Sequence, residues 1–414
     1  MNELTQQVTD DRAREAAHSF DLARPPVDFY DNPFPYYHAC RMYDPVRLMP
    51  DGSYFLTRYA DLRAIYRDTK TFSSDKKVEF KPKFGDSLLY AHHTTSLVFN
   101  DPPFHTRVRR LMTSALSPKA VGAMDAPLVK LVDALLDRVE EKREVDLISD
   151  YAAAIPIEVI GNLFDMPQDE RGPLREWSRA ILSALEPSIS PQMHDLGNNA
   201  VRDFLSYLAD LVARRREHPG DPEKDVLTHL IQGEESGERL SETELLQNCI
   251  FILNAGHETT TNLIGNSLRA LLEWPEQKRL LQERPDLITP AIEEFLRFES
   301  PNQLGNRITT EATVLGGVSM PAGTQLTLCI GAANHDPEQF TEPDRLDIQR
   351  SPNRHLAFGS GAHQCAGMHL ARLEGQIAIS HFLRRFPNYR LSEAPARARR
   401  ARFRGFQRMP ATVR

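Results

Sequence analysis

Apolar and polar residues alternate in different ways along the chain. Residues 45 to 57 (PVRLMPDGSYFLT) alternate about Asp51-Gly52, a pair that favours the positive backbone angles of a tight turn, and so predict a β-hairpin. From about residue 105 to 300 apolar residues recur at helical spacing, and beyond 300 the pattern becomes strand-like (ATVLGGVSMPAGTQLTLCIGAA). The elements lack the regular spacing of βαβ units, which argues against a Rossmann sheet. The pattern predicts a mainly α protein with small β-sheets.

The segment 240–274 predicts one long helix. Ser241 can cap its amino end while Glu244 reaches back, which makes a capping box. At about 1.5 Å per residue this helix would be roughly 50 Å long, enough to cross the molecule. It is apolar nearly all round from Leu245 to Ala255, so we expect it to be buried. Its middle, AGHETT, places a glycine, a charge and threonines where propensity or desolvation disfavours them.

Length and composition fit a large globular protein. The chain has 414 residues, 41% of them apolar, and shows no clear linker or repeat, so we expect a single domain over residues 1–414. The formal net charge of −7 argues against a general nucleic-acid binder, which needs a positive surface. The arginine-rich segment RARRARFR (397–404) is predicted to be a solvated loop before the last strands, not a nucleic-acid or partner patch.

Cysteine usage and the amino terminus favour the cytoplasm. The four cysteines, Cys40, Cys249, Cys329 and Cys365, are scattered without CxxC pairs, unlike those of a disulfide-stapled secreted module. The polar start (MNELTQQVTDDRAREAAHSF) is neither a signal peptide nor a membrane anchor, and no later run reaches the roughly 20 apolar residues of a bilayer span. We expect a cytoplasmic protein with no membrane or nucleic-acid partner.

One cysteine stands in a glycine-rich loop that runs into a helix (NRHLAFGSGAHQCAGMHLAR, residues 353–372). Gly359 and Gly361 let the backbone turn tightly and approach a flat ligand closely, and Gly367 keeps the first helical turn thin. Cys365 would then lie at a helix amino terminus, where unpaired amides and the positive dipole end stabilise a thiolate.

Other interpretations of this cysteine stay open at this point. An isolated cysteine beside a flexible turn is most often a buried structural residue. His363, Cys365 and His369 could indicate zinc, but a fourth ligand is not evident and the glycines would be unexplained. The loop contains neither GxGxxG nor GxxxxGKS/T, which argues against a phosphate cradle.

The segment resembles the haem-binding signature of the cytochrome P450 haem-thiolate proteins. The matching positions are Phe358, Gly359, Gly361, His363, Cys365, Gly367, Leu370, Ala371 and Arg372. The resemblance implies a cytochrome P450 fold that holds haem b between the long central helix and the cysteine loop. Phe358, Gly359 and Gly367 would contact the haem. The thiolate of Cys365 would be the axial ligand of its iron and would donate electron density that favours O–O cleavage.

A second motif lies in EEFLRFESP (293–301). Glu294 and Arg297 stand at i, i+3 on one helical face, which suits a carboxylate–guanidinium pair, although such a pair taken alone is usually a solvated salt bridge. The motif precedes the cysteine by about the family's distance, and FTEPDRLD (340–347) places Arg345 like the family's third partner. The resemblance implies that Glu294, Arg297 and Arg345 form a structural cluster that supports the cysteine loop and retains haem.

The AGHETT segment matches the family pattern AGxD/ET. The resemblance implies that Ala255 and Gly256 leave room over the haem for oxygen, while the acid Glu258 and the alcohol Thr259 relay protons to the haem site. Glu258 and Thr259 are therefore the predicted catalytic residues. A structural interpretation would need Glu258 to be paired elsewhere in the fold.

The propionates of haem need cations or hydrogen-bond donors. NDPPFHTRVRRLM (100–112) matches the family's DPPxHxxxR, with His105 and Arg109 one helical turn apart and so on one face. Arg307 and His355 fall at the other two positions where the family contacts propionates. Each could individually be a surface residue. Together they would form a clamp, in which arginine supplies bidentate contacts.

Positions relative to these motifs predict the substrate pocket. It would be lined by three segments. The variable roof loop contributes Phe84, Leu88, Leu89, His92, His93, Thr94 and Thr95. The central helix contributes Phe251, Asn254 and Ala255, and the segment after the ExxR helix contributes Asn302, Gln303 and Leu304. Asn254 is unexpected in a buried helix, because an amide without a partner costs about 1 to 3 kcal/mol. It either bonds within the helix or to water, or it fixes a polar handle (hydroxyl, carbonyl or carboxylate) on a compact apolar substrate such as a terpenoid, steroid or aromatic acid.

The resemblance implies a monooxygenase, in which two electrons and O2 insert one oxygen atom into a small to mid-sized organic substrate. Because the sequence shows no anchor or fused reductase domain, we expect electrons from NAD(P)H to arrive through a ferredoxin reductase and a small iron-sulfur ferredoxin, in a transient contact. Arg107, Arg110 and Arg372 are candidates for its basic docking surface. A peroxide-driven haem-thiolate peroxygenase would need no redox partner but usually replaces the acid–alcohol pair. A non-enzymatic haem sensor would have no use for a proton relay.

Overall fold

Helices form most of the computed structural model, which describes residues 3–116, 118–233 and 239–413. The α-helices are α1 (Glu3–Ser19), α2 (Phe34–Tyr43), α3 (Tyr59–Arg67), α4 (Lys77–Phe84), α5 (Leu88–Thr95), α6 (Phe104–Ala115), α7 (Pro118–Gly122), α8 (Asp125–Lys142), α9 (Ala154–Leu163), α10 (Leu174–Ser183), α11 (Pro191–Glu217), α12 (Val226–Gln232), α13 (Glu242–Glu273), α14 (Pro275–Glu283), α15 (Ile288–Phe298), α16 (Ile330–Ala333) and α17 (Met368–Arg385). Within the described ranges, no helix combines the length and apolar character that a bilayer crossing demands.

Short strands form small sheets, which confirms the predicted fold class. The strands are β1 (Val46–Leu48), β2 (Tyr54–Leu56), β3 (Phe72–Ser73), β4 (Glu144–Asp146), β5 (Leu304–Thr309), β6 (Thr313–Leu315), β7 (Val318–Met320), β8 (Gln325–Cys329), β9 (Arg390–Leu391), β10 (Ala396–Arg397), β11 (Phe406–Arg408) and β12 (Pro410–Thr412). The largest sheet has the strand order β1-β2-β8-β5-β3.

The predicted hairpin near the start of the chain is confirmed. β1 and β2 pair antiparallel with Val46 opposite Leu56, and the turn between them passes through Gly52 at φ +83°. β2 then runs parallel to β8, and β8 runs antiparallel to β5. The early hairpin is thereby joined to strands from the last third of the chain.

The predicted long helix is α13, and it runs through the core. The Ser241 hydroxyl accepts from the Glu244 N–H at 3.3 Å and the Glu244 carboxylate accepts from the Ser241 N–H at 2.8 Å, which confirms the capping box. The helix packs against α9, α10, α11, α15 and α17. Most of its residues from Leu245 to Leu271 are buried, so polar groups in this stretch need partners inside the protein.

Helix α11 lies across the short helices of the predicted roof. Gly197 of α11 faces Leu89 of α5, and a Cβ at this glycine would stand 2.9 Å from the leucine side chain. Asn198 Oδ1 accepts from the Leu89 N–H at 3.0 Å. α5 also packs on α4 and on α13. These contacts bring the predicted roof next to the central helix.

Candidate active site

The cysteine loop turns through two glycines with left-handed backbone angles. Gly359 and Gly361 have φ values of +64° and +70°, which other residues rarely adopt. A Cβ at Gly361 would lie 2.2 Å from the carbonyl oxygen of Tyr66, so the loop packs directly on the end of α3. A Cβ at Gly367, in contrast, would meet no atom within 4 Å. The chain itself gives no steric reason for glycine at 367, and the open space suits a flat ligand.

This loop presents Cys365 just before α17. The Cys365 N–H donates to the Phe358 carbonyl at 2.9 Å, which closes the loop. Cys365 is exposed, whereas the other three cysteines are buried. Although the residue is exposed, protein atoms near the sulfur desolvate it in part and raise the pKa of the Cys365 thiol, while the Gly367 amide, Arg109 and Arg372 lower it. These three groups are therefore the ones placed to stabilise a thiolate.

Helix α15 carries the predicted ion pair. Arg297 donates from Nε and Nη2 to the two carboxylate oxygens of Glu294, each at 2.8 Å. Its Nη1 donates to the carbonyls of Asn334 and Pro343 at 2.9 and 2.7 Å. The pair therefore ties α15 to the segment that leads towards the cysteine loop.

The third partner of this pair is Arg350, and the prediction of Arg345 was wrong. Arg350 Nε lies 3.2 and 3.1 Å from the two oxygens of Glu294, whereas the exposed Arg345 side chain contacts Glu342 at 3.5 Å. Arg345 contributes only its backbone carbonyl, which accepts from Arg297 at 3.2 Å. A turn between the two arginines directs the first to solvent and the second inward.

The AGHETT segment lies in the buried middle of α13. Thr259 Oγ1 donates to the Ala255 carbonyl at 2.8 Å, so the hydroxyl is held against the helix backbone. Gly256 faces α9, where a Cβ would come within 2.7 Å of the Ile160 side chain. Glycine at this position therefore permits close packing of α9 on the central helix.

Glu258 has a partner far away in the sequence. Its Oε1 accepts from Arg400 Nη1, while its buried Oε2 has no hydrogen-bond partner among the described residues. Burial raises the pKa of Glu258, and Arg400 and Arg179 oppose that shift. Arg400 Nε also donates to Glu186 at 3.2 Å. The pairing that a structural interpretation required is thus present, and one carboxylate oxygen is still available.

Unpartnered donors gather beside the cysteine loop. His105 is buried, and neither of its ring nitrogens has a partner within the described chain. Arg307 is also buried, and its Nε has none either, while its Nη1 donates to a neighbouring carbonyl at 2.7 Å. Arg109 Nη2 donates to the Gln364 carbonyl of the loop at 2.6 Å. A buried donor without an acceptor costs about 1 to 3 kcal/mol unless a ligand satisfies it.

His363 was not among the residues predicted to contact haem, although it stands at a matching position of the signature. Its ring lies 3.9 Å from that of His105, and its buried Nε2 also lacks a partner within residues 3–116, 118–233 and 239–413. The zinc hypothesis for His363, Cys365 and His369 is wrong in geometric terms, because the three do not form a metal-binding group among the described residues. The FGxGxH spacing itself was the signal that could have identified His363.

His355 differs from the other predicted propionate contacts. Its Nε2 lies 3.2 Å from Glu293, and its Nδ1 accepts from the Ala357 N–H at 3.2 Å. Arg372 binds the same Glu293 at 2.7 and 2.8 Å and lies over the Phe358 ring at 4.8 Å. Both ring nitrogens of His355 thus have partners within the protein, unlike those of His105, and its contact with a propionate stays a prediction.

The predicted roof residues lie together beside α13. Phe84, Leu89, His92 and His93 are buried, and the Phe84 and His93 rings are 5.4 Å apart. His92 Nδ1 bonds to Gln247 of α13 at 2.9 Å. The partly buried members that pack on the same core are Leu88 and Phe251.

The predicted polar residues of the pocket differ in how they are satisfied. Gln303 Nε2 donates to the Ser300 carbonyl at 2.7 Å, and Asn302 forms a backbone bridge with Phe403, but the side-chain oxygen of each has no partner in the described part of the chain. Asn254 is buried, and neither atom of its amide has a hydrogen-bond partner in the described part of the chain. The bond within the helix that the sequence left open is therefore absent.

The arginine-rich segment 397–404 is not a solvated loop, so that prediction was wrong. Arg397 and Arg404 bind Glu299 at 3.3 and 2.7 Å. Arg400, between them, is the partner of the central-helix acid described above. These arginines pair with Glu299 at the end of α15 and with Glu258 in the middle of α13, so the segment packs against the protein interior.

These features can be compared with those of known protein families. The family described as Cytochrome P450 matches residues 37–395 of the chain. The chain belongs to the cytochrome P450 family. The match includes the cysteine loop, the ExxR pair and the AGHETT segment of the central helix.

Relatives of this cytochrome P450 cover it almost completely. The biotin biosynthesis cytochrome P450 of Bacillus subtilis is 36% identical over 389 residues (93% of this chain, 97% of the relative), and the vitamin D(3) 25-hydroxylase of Pseudonocardia autotrophica is 38% identical over 393 residues (93% and 94%). The structure of CalO2 superposes with a TM-score of 0.89 at 29% identity, covering 96% of this chain and 99% of that one. P450BioI in complex with hexadec-9Z-enoic acid ligated acyl carrier protein gives 0.88 at 35% identity (94% and 99%).

Relatives named as hydroxylases make this cytochrome P450 an oxidoreductase of the monooxygenase type, and the family implies a haem-iron cofactor and the use of O2. The residues present fit such a cofactor. An exposed thiol stands on a glycine loop, the space at Gly367 is open, and the buried His105 and Arg307 have donors without acceptors.

Proposed function

We propose that this cytochrome P450 is a single domain over residues 1–414 that binds haem b through Cys365 and inserts one oxygen atom of O2 into a small to mid-sized organic substrate. The observation that carries the proposal is the placement of the exposed Cys365 on the loop whose His363 faces the unpartnered His105. When bound, haem supplies the chemistry of O2 activation. The protein supplies the ligand, the orientation and the protons.

Several residues would hold the haem. His105 and Arg307 would donate to the propionates, which satisfies groups that otherwise lack acceptors. Arg109 stands close to both the cysteine loop and His105 and would add a charge. The loop residues that would lie against the macrocycle are Phe358, Gly359 and Gly367.

Glu258 and Thr259 would deliver protons from the central helix. Burial raises the pKa of Glu258, so its carboxyl can hold a proton nearer neutral pH than an exposed glutamate. The Thr259 hydroxyl is fixed by the Ala255 carbonyl at 2.8 Å, which orients its own acceptor lone pairs. A fixed alcohol beside an acid provides the ordered path that proton transfer needs.

Asn254 would supply the polar contact to the substrate. It lies one helical turn before Glu258, and its buried amide is unpartnered within the described residues. Phe84 and Phe251 are the apolar neighbours proposed for the same pocket. The pocket therefore suits a compact apolar substrate with at least one polar handle.

Electrons would come from NAD(P)H through a ferredoxin reductase and a ferredoxin in a transient contact. Of the proposed docking residues, Arg107 pairs with Glu244, and Arg372 pairs with Glu293 at 2.7 Å. These ion pairs reduce the charge that Arg107 and Arg372 offer to a partner, and all three arginines are kept as proposed docking residues.

Absorbance spectroscopy tests the proposal directly. The reduced carbon-monoxide complex should show the thiolate-shifted Soret band, and Cys365→Ala or Cys365→His should abolish both that band and monooxygenation. If either variant kept both, Cys365 could not be the axial ligand. Turnover with ferredoxin and reductase, compared with turnover driven by peroxide, separates a monooxygenase from a peroxygenase. Haem binding without turnover under either condition would favour a sensor.

A further inference from the structure

Three cations meet beside the proposed pocket. Lys83 lies in the last turn of α4, and Arg400 and Arg402 lie between β10 and β11. We call these three residues the cationic corner. Lys83 Nζ donates to the Glu186 carbonyl at 2.7 Å, and Arg402 Nε donates to the adjacent Leu185 carbonyl at 3.0 Å. The corner therefore surrounds the chain that leaves α10.

The guanidinium of Arg402 hydrogen-bonds only to neutral acceptors, whereas its backbone N–H donates to the Glu186 carboxylate at 3.0 Å. Its Nε and Nη1 donate to the carbonyls of Leu185 and Leu304 at 3.0 and 2.7 Å, and its Nη2 donates to the amide oxygen of Asn306. Burial lowers the pKa of Arg402, but a guanidinium group still keeps its proton at neutral pH. Glu186 and Glu79 lie near enough to favour its charge, but neither carboxylate bonds to the guanidinium, so part of its desolvation penalty is left uncompensated.

Lys83 and Arg400 have hydrogen-bonding capacity to spare. Lys83 Nζ has three donors and binds a backbone carbonyl with one of them. Burial lowers the pKa of Lys83 to about 8, and Arg402 adds to that shift. Arg400 Nη2 is buried and has no partner within the described ranges. The cationic corner thus combines positive charge with donors that could bind an anion.

Two carboxylates, those of Glu186 and Glu258, face the three cations. Arg400 is the cation that both of them bind. Glu186 Oε2 also accepts two backbone N–H groups at 2.8 and 3.0 Å. The neighbouring Lys76 pairs with its own carboxylate, Glu79. The three cations exceed the two carboxylates by one charge, and neither Lys83 nor the Arg402 guanidinium bonds to a carboxylate, so a further anion would compensate the excess.

The corner touches the walls of the proposed pocket. Arg402 binds Leu304 and Asn306 of β5, the strand that continues to the proposed propionate contacts. Lys83 immediately precedes the roof residue Phe84, and its Nζ lies 5.3 Å from that ring. The central helix also contacts the corner, because its Glu258 pairs with Arg400. An anion bound here would be held beside the space in which the substrate is oxidised.

We propose that the substrate is an organic acid whose carboxylate binds the cationic corner, with Arg402 as the principal contact. This inference rests on the proposed function and narrows the polar handle to an anion. A carboxylate would replace the neutral acceptors of Arg402 and Lys83 with a charged one. Bidentate contact with arginine would also fix the orientation of the acid, and its apolar body would extend towards Phe84 and Phe251.

Matched ligands test the inference on the haem-loaded protein. Dodecanoic acid and 4-isopropylbenzoic acid are each titrated alongside their methyl esters, and the low-spin to high-spin shift is followed. In at least one pair we expect the acid to bind about 10-fold more tightly than the ester, because the ester cannot accept the charge-assisted hydrogen bonds that a carboxylate accepts. Equal affinities in both pairs, tighter binding of the esters, or no shift with any of the four compounds would overturn the inference.

Variants locate the contact. Arg402→Gln removes the charge but keeps an amide, Arg402→Lys keeps the charge, and Arg399→Gln is a matched control because Arg399 is exposed on the same segment. We expect Arg402→Gln to raise the Kd of the acid about 10-fold with little change for the ester. Arg402→Lys should recover part of the loss, and Arg399→Gln should bind like the wild type. Unchanged acid binding in Arg402→Gln would overturn the inference.

Lys83→Gln provides a second route if Arg402→Gln does not retain haem. It removes a charge that bonds only one backbone carbonyl, so we expect it to keep the fold while weakening acid binding several-fold relative to ester binding. An unchanged acid-to-ester ratio in this variant would also overturn the inference. The carbon-monoxide spectrum of the wild type distinguishes failure of the proposed function from failure of this inference. If the thiolate-shifted band is absent, the proposed function is contradicted. If the band is present and neutral compounds bind best, only the acid substrate is contradicted.

Discussion

Arg297 and Glu294 form a doubly hydrogen-bonded ion pair, with 2.8 Å at each contact and no exposed surface on either side chain. Each charge depends on the other, because removing one member of such a buried pair costs about 3 to 5 kcal/mol. Arg350 adds a second guanidinium to Glu294, at 3.1 Å from the nearer oxygen. This relationship assigns different roles to Arg350 and Arg345, which look equivalent in the sequence.

Arg350→Gln should destabilise the protein and weaken haem retention, whereas Arg345→Gln should do neither. The first change removes a charged donor from a buried carboxylate, for which we expect a loss of about 1.5 to 3 kcal/mol in the free energy of unfolding. The second changes an exposed side chain, for which about 0.5 kcal/mol or less is expected. Urea unfolding followed by haem absorbance measures both, and equal effects would contradict the assignment of Arg350.

Thr259→Ala should leave the haem content intact but divert reducing equivalents into hydrogen peroxide, because the site would lose its ordered alcohol. Thr261→Ala is the matched control, since Thr261 Oγ1 makes the equivalent bond to the His257 carbonyl at 3.0 Å two residues further along the helix. The measurement compares NAD(P)H consumed with product formed. If coupling stayed at the wild-type value in Thr259→Ala, the threonine would have no role in proton delivery.

Arg400→Gln should move the alkaline limb of the pH–rate profile to higher pH. Arg400 lowers the pKa of Glu258 against the effect of burial, so its removal lets that pKa rise further. Because proton delivery requires the protonated carboxyl, turnover should then persist to higher pH before it falls. Arg399→Gln should leave the limb in place, and Glu258→Gln should remove it. If the limb of Arg400→Gln stayed at the wild-type pH, Glu258 would not be the group whose titration controls turnover.

Asn254→Leu should weaken the binding of substrates with a polar handle without reducing haem content. Because the Asn254 amide has no partner in the described chain, a polar group of the substrate would form its hydrogen bond. Loss of that bond is expected to cost about 1 to 3 kcal/mol of binding free energy. A spectral titration of a compound panel on both proteins measures this loss. Plain hydrocarbons binding best, with Asn254→Leu unaffected, would show that the handle does not exist.

Glu374→Gln should stabilise the protein at alkaline pH. Glu374 is buried in α17, its Oε2 has no partner within the described residues, and burial raises its pKa to about 8 from a usual value of 4.5. The folded state therefore binds more protons than the unfolded state between these values, and stability falls as pH rises through that window. The glutamine variant should match the wild type near pH 5 and exceed it near pH 9 in urea unfolding. Parallel stability curves would contradict this account.

Local sequence patterns were sufficient for the elements that frame the site. The hairpin at Gly52 and the capping box of Ser241 and Glu244 depend on residues only a few positions apart, so their geometry follows from backbone preferences and short-range hydrogen bonds. The cysteine loop is equally local, since Gly359 and Gly361 permit its turn wherever the loop lies in the fold. These elements together were enough to indicate the fold class and the family.

The partners of buried charges were decided only by the tertiary structure. Glu258 and Arg400 are 142 residues apart, and His355 and Glu293 are 62 apart, so no spacing in the sequence connects them. Arginines are chemically equivalent along the chain, and helix packing alone determines which of them meets a buried carboxylate. The sequence by itself therefore determined that an acid stands in the central helix and that arginines crowd residues 397–404, but folding decided that the two meet, because a buried charge must find a counter-charge wherever the packed core places one.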